Sequence, residues 1–180
     1  MRTFVAIEVT AQNVLDSISH IQSELSIKAK PVELYNMHFT VQFLGEVSQE
    51  MIKKISATLS GLEFSPFSIS FVGIGVFPKP PRFPRIVWIG TEEGIKDLEK
   101  LAEMIRVKLS HLGFSPDKKF KPHVTIFRIK KKIEEITNKL EKFSSYSFGN
   151  QVVTEIKFKK SELTPNGPVY TDLLVVKGKK

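Results

Sequence analysis

Along the chain, apolar residues recur first with period two and then with the three-to-four spacing of a helix, and this alternation repeats. Phe4 to Val9 reads as a strand, and Thr10 is placed to cap a helix carrying Val14, Ile18, Ile21 and Leu25 on one face. Met37 to Leu44 reads as a second strand, stopped by Gly45. Ser48 then caps a helix with Ile52, Ile55 and Leu59 inward and Gly61 beyond its end. Phe67 to Phe77 predicts a strand interrupted at Gly73 and Gly75, where a bulge or a close approach is expected. The segment Pro78-Lys79-Pro80-Pro81-Arg82-Phe83-Pro84 excludes helix and central strand, because proline fixes φ and lacks the amide donor. Segment 78–84 is the one evident linker.

Beyond it the pattern restarts. Ile86 to Ile89 is a strand, and Thr91 is placed to cap a long helix with Ile95, Leu98, Leu101, Ala102, Ile105, Leu109 and Leu112 on one stripe, ended by Gly113. His123 to Ile129 is a strand, residues 131–142 a shorter helix with Ile133, Ile136 and Leu140, and strands follow near 150–160 and 169–176. Phe4 and His38 lie 34 residues apart, Val87 and His123 36 apart. Residues 1–77 and 85–180 therefore read as two copies of one strand–helix–strand unit within a single domain spanning 1–180.

The second strand of each half carries the most unusual residues. These are His38-Phe39-Thr40-Val41 and His123-Val124-Thr125-Ile126. Alternation puts His38 and Thr40 on one face, with Phe39 and Val41 on the other, and the second segment repeats the arrangement. If a pseudo-twofold axis relates the halves, two imidazoles and two hydroxyls converge on one cleft. Imidazoles titrate near neutrality, so one serves as general base and the other as general acid, while the hydroxyls donate to an anionic oxygen. Phosphodiester cleavage requires this set. The competing metal reading is weak, because two histidines with no cysteine and no nearby carboxylate make an incomplete zinc site; no metal and no cofactor are expected. A single His-x-Thr occurs often by chance, and the bland alternative is a pair of ordinary strand histidines. His20 and His111 fall on helices without such partners and read as surface residues.

Composition narrows the picture. The 180 residues contain no cysteine, which removes disulfides, thiolate nucleophiles and cysteine-based metal sites. The opening Met1 to Glu8 is too short an apolar run for a signal peptide or a membrane span, so a cytoplasmic protein is expected, and nothing demands more than a monomer. The net charge of +8 is concentrated in the second half: residues 1–90 carry 8 Lys+Arg and 7 Asp+Glu, residues 91–180 carry 19 and 12. Lys118, Lys119, Lys121, Arg128, Lys130, Lys131 and Lys132 form the densest stretch. Such a stretch attracts a polyanion such as RNA through counterion release, or is simply a solvated lysine-rich surface. The same composition suits a heat-stable source.

At the paired motifs the sequence resembles the 2H phosphoesterase superfamily, and most of all its RNA 2′,3′-cyclic phosphodiesterase branch, historically called 2′-5′ RNA ligase. The resemblance extends over Arg2 to Ile7, Asn36 to Glu46, Pro84 to Gly90, Lys121 to Arg128, Ser161 to Leu163 and Gly167 to Tyr170. It implies a bilobal α+β fold, with two antiparallel sheets flanked by helices around a central cleft. It also implies metal-independent hydrolysis of an RNA 2′,3′-cyclic phosphate end, as on cleaved tRNA, to a 2′-phosphomonoester, with reversible 2′-5′ ligation to a 5′-hydroxyl end. His38 would be the proton donor, His123 the proton acceptor, and Thr40 and Thr125 the phosphate-oxygen ligands, though donor and acceptor are exchangeable.

Two positions depart from the pattern: Gln42 stands where relatives often carry lysine, and Phe127 where a small residue is common. Alternation puts Gln42 on the His38 face and Phe127 on the His123 face, where its ring would stack a base. Arg128 matches a family arginine but falls on the opposite face unless a bulge re-aims it; otherwise it is an ion-pair residue. Tyr170 is either a cleft wall or a core residue, and Phe77, Phe83 and Arg85 either edge the cleft or pack the loop. The alternatives to this activity are a 2H hydrolase of another small cyclic phosphate or 2′-5′ oligonucleotide, and a non-catalytic RNA-binding module.

Overall fold

The computed structural model describes residues 1–133 and 136–180. In chain order the strands and helices are β1 (Arg2–Glu8), α1 (Gln12–Glu24), the two-residue β2 (Lys30–Pro31), β3 (His38–Glu46), α2 (Gln49–Ser60), β4 (Phe67–Phe77) and β5 (Ile86–Thr91). They continue with α3 (Ile95–Ser110), β6 (Val124–Arg128), α4 (Thr137–Glu141), β7 (Ser147–Val153), β8 (Glu155–Thr164) and β9 (Gly167–Lys177). All the strand pairings are antiparallel, in the order β7-β4-β5-β6-β3-β1-β8-β9, with β2 added to β6.

The sheet consists of two four-stranded halves joined at one point. β3 and β6 share a single registered pair, Phe39 opposite Val124. On either side the same pattern is reproduced. Phe39 faces Ile7 and Thr40 faces Ala6 across β1; Val124 faces Ile89 and Thr125 faces Trp88 across β5. A pseudo-twofold axis therefore passes through the Phe39–Val124 pair. β4, which follows α2 in sequence, lies beside β5, and β8 occupies the matching place beside β1. The α+β, two-lobed architecture expected from the alternating pattern is present; β4, β5, β6 and β7 of one lobe come from the middle of the chain, whereas β1, β3, β8 and β9 of the other come from its two ends.

Local chemistry explains most elements. Ser48 accepts from the Met51 amide at 3.1 Å and caps α2 as expected. Thr10 does not cap α1; the Thr10 and Ala11 amides donate instead to Gln151 Oε1, at 2.8 and 3.1 Å. Thr91 does not cap α3 either. Its hydroxyl donates to Ser70 O at 2.7 Å, and the helix starts after Gly94, where φ is 81° and a Cβ would overlap Ser68 O. The bulge expected at Gly73 is present: Val72 pairs with Gly90 and Ile74 with Ile89, and Gly73 is the extra residue. Segment 78–84 closes the β4–β5 hairpin. The strand expected near 150–160 is two strands that part at Thr154, β7 pairing with β4 and β8 with β1. Of the helix expected over 131–142, α4 covers Thr137–Glu141; 134–135 lie outside the described residues.

The helices pack one face of the sheet, where Val5, Ile7, Phe39, Ile69, Phe71, Val87, Ile89, Val124 and Ile126 are buried. Phe39 and Phe71 stack with ring centroids 5.6 Å apart. α1 lies against β6 and β7, and α3 against β3, so each helix bridges to the other lobe. The opposite face carries the cleft.

Candidate active site

Because Phe39 and Val124 point into the core, their neighbours point into the cleft. Continuing the register by one residue sets His38 across from Thr125, and Thr40 across from His123. The four side chains form a two-by-two patch over the pseudo-twofold axis, all half-buried. The structure thus brings together the four residues that the two motifs single out.

Both imidazoles are anchored alike. His38 Nδ1 lies 2.6 Å from Asn36 O, and His123 Nδ1 lies 2.6 Å from Lys121 O. A carbonyl only accepts, so each Nδ1 donates, and in the neutral ring Nε2 is left with a lone pair. The Thr40 hydroxyl is 3.1 Å from His38 Nε2 and is oriented to donate to it. Asn36 ends a short 3₁₀ turn, Leu34–Asn36, and its side chain donates to Pro168 O at 3.3 Å, which ties the anchor to β9. Each ring also has an aromatic wall. His38 meets Tyr170 edge-on at 5.3 Å and Phe4 at 5.2 Å; His123 meets Phe77 edge-on at 5.2 Å and Trp88 at 6.4 Å. Tyr170 is therefore a cleft wall, and Phe77 edges the cleft. The Trp88 indole lies across Gly75, where any Cβ would overlap it. Its buried Nε1 has no hydrogen-bond partner among the described residues.

Paired bulges decide the positions that alternation alone misplaces. In β3, Ala6 faces Thr40 and Val5 faces Gln42, so Val41 is an extra residue; in β6, Trp88 faces Thr125 and Val87 faces Phe127, so Ile126 is extra. After each bulge the parity reverses. Gln42 and Phe127 are therefore in the core, 5% and 3% exposed, rather than on the cleft face. Phe127 has no surface with which to stack a base, and Gln42 is buried with Nε2 unpartnered among the described residues. Phe43 and Arg128 take the cleft face instead, both exposed, Phe43 at 68%. The alternation rule misses Phe43 altogether; aligning the two halves residue by residue pairs it with Arg128 and is the one sequence signal that marks it.

The cleft floor beside His38 is charged. Glu8 is the direct cross-strand neighbour of His38. Lys159, only 7% exposed, lies 2.5 Å from Glu8 Oε1 and 2.7 Å from Asp172 Oδ1; Lys157 reaches the same two carboxylates at 3.0 and 2.9 Å. Burial works against the charges, but the bonds to Asp172 and Glu8 prevail and raise Lys157, and the bonds from Lys159 and Lys157 likewise lower Asp172. His38 itself is pushed down to about 4. Burial is the main cause, with the Lys159 and Arg128 charges adding to it; the Asn36 bond and Glu8 pull the other way. Arg128 is thus within electrostatic reach of His38, across the cleft from its own lobe. Among the described residues no three His, Cys, Asp or Glu side chains gather in a metal-ligating group, and no described helix is long and apolar enough to cross a membrane.

A duplicated antiparallel α+β fold with two His-x-Thr pairs facing one cleft defines a class of phosphoesterases. Comparison with known proteins agrees. The family model described as LigT like Phosphoesterase matches twice, over residues 7–88 and 89–170. The RNA 2′,3′-cyclic phosphodiesterase of Archaeoglobus fulgidus is 46% identical over 178 residues, covering 97% of this chain and 99% of that one. That of Methanothermobacter thermautotrophicus is 37% identical over 186 residues, covering 97% of each. Among solved structures, TT0787 of Thermus thermophilus superposes with a TM-score of 0.81 at 29% identity, covering 98% of this chain and 97% of that one. Escherichia coli LigT complexed with 3′-AMP gives 0.82 at 25%, covering 99% and 98%. The chain belongs to the LigT-like phosphoesterase family, within the 2H phosphoesterases, and is an enzyme of that kind.

Proposed function

We propose that this enzyme hydrolyses the 2′,3′-cyclic phosphate at an RNA 3′ end to a 2′-phosphomonoester, with no metal ion, using His38 and His123 as the proton-transfer pair. The observation that carries this reading is the matched anchoring of the two rings. Each Nδ1 is held by a carbonyl, so each Nε2 is reserved for the cleft, and the names of the relatives supply the substrate class. In the forward reaction His123 takes a proton from water, the water oxygen bonds to phosphorus, the P–O3′ bond breaks, and His38 gives its proton to the departing 3′ oxygen. The Thr40 and Thr125 hydroxyls donate to the non-bridging oxygens, where charge grows in the transition state. With a 5′-hydroxyl end in place of water as the nucleophile, the same forward displacement joins ends through a 2′-5′ linkage, and its reverse cleaves that linkage.

Arg128 and Phe43 hold pseudo-equivalent places at opposite ends of the patch. Arg128 contacts a phosphate, and Phe43, in place of Phe127, offers its ring to a base. Tyr170 fixes the His38 ring. The chain is one bilobal domain whose repeated halves run over 1–77 and 85–180. Since both motifs come from one chain, the site is complete in a monomer acting on cytoplasmic RNA, tRNA fragments included.

The test uses an RNA oligonucleotide ending in a 2′,3′-cyclic phosphate, in excess EDTA, with wild type, His38→Ala and His123→Ala. The expected result is a 2′-phosphate from wild type and a loss of at least about 10²-fold in each variant, the usual worth of one proton transfer. Tight RNA binding without hydrolysis would replace this reading with that of a binding module; turnover abolished by EDTA would remove the metal-independent mechanism.

A further inference from the structure

The β4–β5 hairpin ends in a basic tip between Phe77 and Ile86. Lys79, Arg82, Phe83 and Arg85 are exposed on it, Phe83 at 50%. The tip is docked on the segment that follows β6. Arg85 N donates to Phe77 O at 2.7 Å, Ile129 N to Arg85 O at 2.8 Å, Arg85 Nη1 to Lys130 O at 3.5 Å, and Lys132 Nζ sits 4.2 Å over the Phe83 ring. Lys130 and Lys132 are exposed as well. None of Lys79, Arg82, Arg85, Lys130 and Lys132 has a carboxylate of the described residues within ion-pair distance. The cations on the cleft floor, in contrast, are neutralised by Glu8 and Asp172.

This surface connects to the site. Phe77, Ile86, Arg128 and Lys30 are successive cross-strand partners, so they form one row on the cleft face at the end where the hairpin tip begins. A cyclic phosphate occupies only the 3′ end of an RNA, and the chain must leave the patch in the 5′ direction. The patch has two ends. At one end stands apolar Phe43; at the other Arg128 and Lys30 lead onto the docked tip. Cations with no ion-pair partner among the described residues, spaced around an exposed aromatic ring, are the combination that tracks a single-stranded backbone while stacking its bases.

We propose that the β4–β5 hairpin tip, with Arg82, Phe83 and Lys132 at its centre, is the docking surface for the single-stranded RNA 5′ to the cyclic phosphate, reached past Arg128 and Lys30. The proposal rests on the hydrolase reading above and adds the path of the polynucleotide. Substrate selection then divides between the two places. The His–Thr patch acts on any terminal cyclic phosphate, and the tip favours a chain of several nucleotides over a mononucleotide.

Two substrates separate the claims: 2′,3′-cyclic CMP, and a single-stranded RNA of ten nucleotides ending in the same group. With three phosphates on the tip, kcat/KM for the oligonucleotide falls by roughly 20-fold between 50 and 200 mM salt, at a slope of about 0.7 per phosphate, while that for cyclic CMP changes little. Arg82→Glu/Lys132→Glu, both at exposed positions, raises KM for the oligonucleotide about tenfold or more, flattens its salt dependence and leaves cyclic CMP hydrolysis as in wild type. Lys118→Glu/Lys119→Glu, ahead of His123, has the smaller effect. Equal salt dependence for the two substrates, or a larger effect from Lys118→Glu/Lys119→Glu, overturns the proposal while the hydrolase reading stands. Hydrolysis of neither substrate by wild type overturns the hydrolase reading, and this one with it.

Discussion

In the proposed mechanism His38 carries a proton to the 3′ oxygen, yet in the free protein it is pushed down to about 4 and is neutral at pH 7. A bound phosphodiester is the perturbation that reconciles the two. Raising His38 from about 4 to its ordinary 6.5 takes about 2.5 units, or roughly 3 kcal/mol at 1.36 kcal/mol per unit. One negative charge about 4 Å from the ring supplies roughly 4 kcal/mol at the effective dielectric of a partly buried site, so a single phosphate in contact suffices. Linkage then requires that binding take up one proton between the free and bound pKa values, and that affinity strengthen about tenfold per unit as pH falls through that window. The assay is calorimetric titration of His123→Asn protein with 2′,3′-cyclic CMP at pH 5.5, in two buffers of different ionisation enthalpy. A cyclic diester keeps one charge throughout, and the variant does not turn it over. Uptake close to one proton, with affinity rising from pH 6.5 to 5, is expected. Zero uptake and a flat affinity would mean that His38 stays neutral beside the phosphate; the donor role would then pass to His123.

The same depressed pKa makes folding acid-sensitive. Between pH 6.5 and 4 the unfolded chain binds the His38 proton and the folded one does not, so stability falls by about 3 kcal/mol as pH drops through that window. Urea titrations of wild type and His38→Gln at pH 7 and 4.5 should show a larger loss in wild type. Lys159→Met leaves Glu8 and Asp172 with Lys157 alone and costs about 3 kcal/mol or more by chemical denaturation; it also raises His38, moving the acid limb of the kcat/KM–pH profile upward. An unmoved limb would separate Lys159 from His38. Gln42→Met removes a buried amide nitrogen that has no partner among the described residues and is expected to be neutral or stabilising by about 1 kcal/mol in the same assay, whereas a loss above about 2 kcal/mol would reveal a hidden partner. Phe39→Ala, beside the pseudo-twofold axis, removes a fully buried ring stacked on Phe71 and is expected to cost about 3–5 kcal/mol by urea denaturation.

Period-two and three-to-four spacing place nearly every strand and helix, because each element's burial pattern is written in its own residues. The same local logic marks His38, Thr40, His123 and Thr125, whose spacing of two needs only a strand to share a face. It fails where partners lie far away in sequence. Gln151 rather than Thr10 satisfies the start of α1, since a side chain 140 residues on offers a better acceptor than the local hydroxyl. The separation of β7 from β8 is a choice of partner, made by β4 and β1, and no residue near Thr154 announces it.

By itself, then, the sequence determined the elements, the duplication and the four polar residues of the patch. Only the tertiary structure decided what surrounds them. The bulges at Val41 and Ile126 arise from pairing with β1 and β5, and one extra residue exchanges the faces of all that follow it. That exchange put Phe43 and Arg128 in the cleft and sent Gln42 and Phe127 to the core. The low pKa of His38 and the Glu8–Lys159–Asp172 group have the same origin. They depend on burial and on distances between strands separated by most of the chain, and both quantities come into being only when the sheet is assembled.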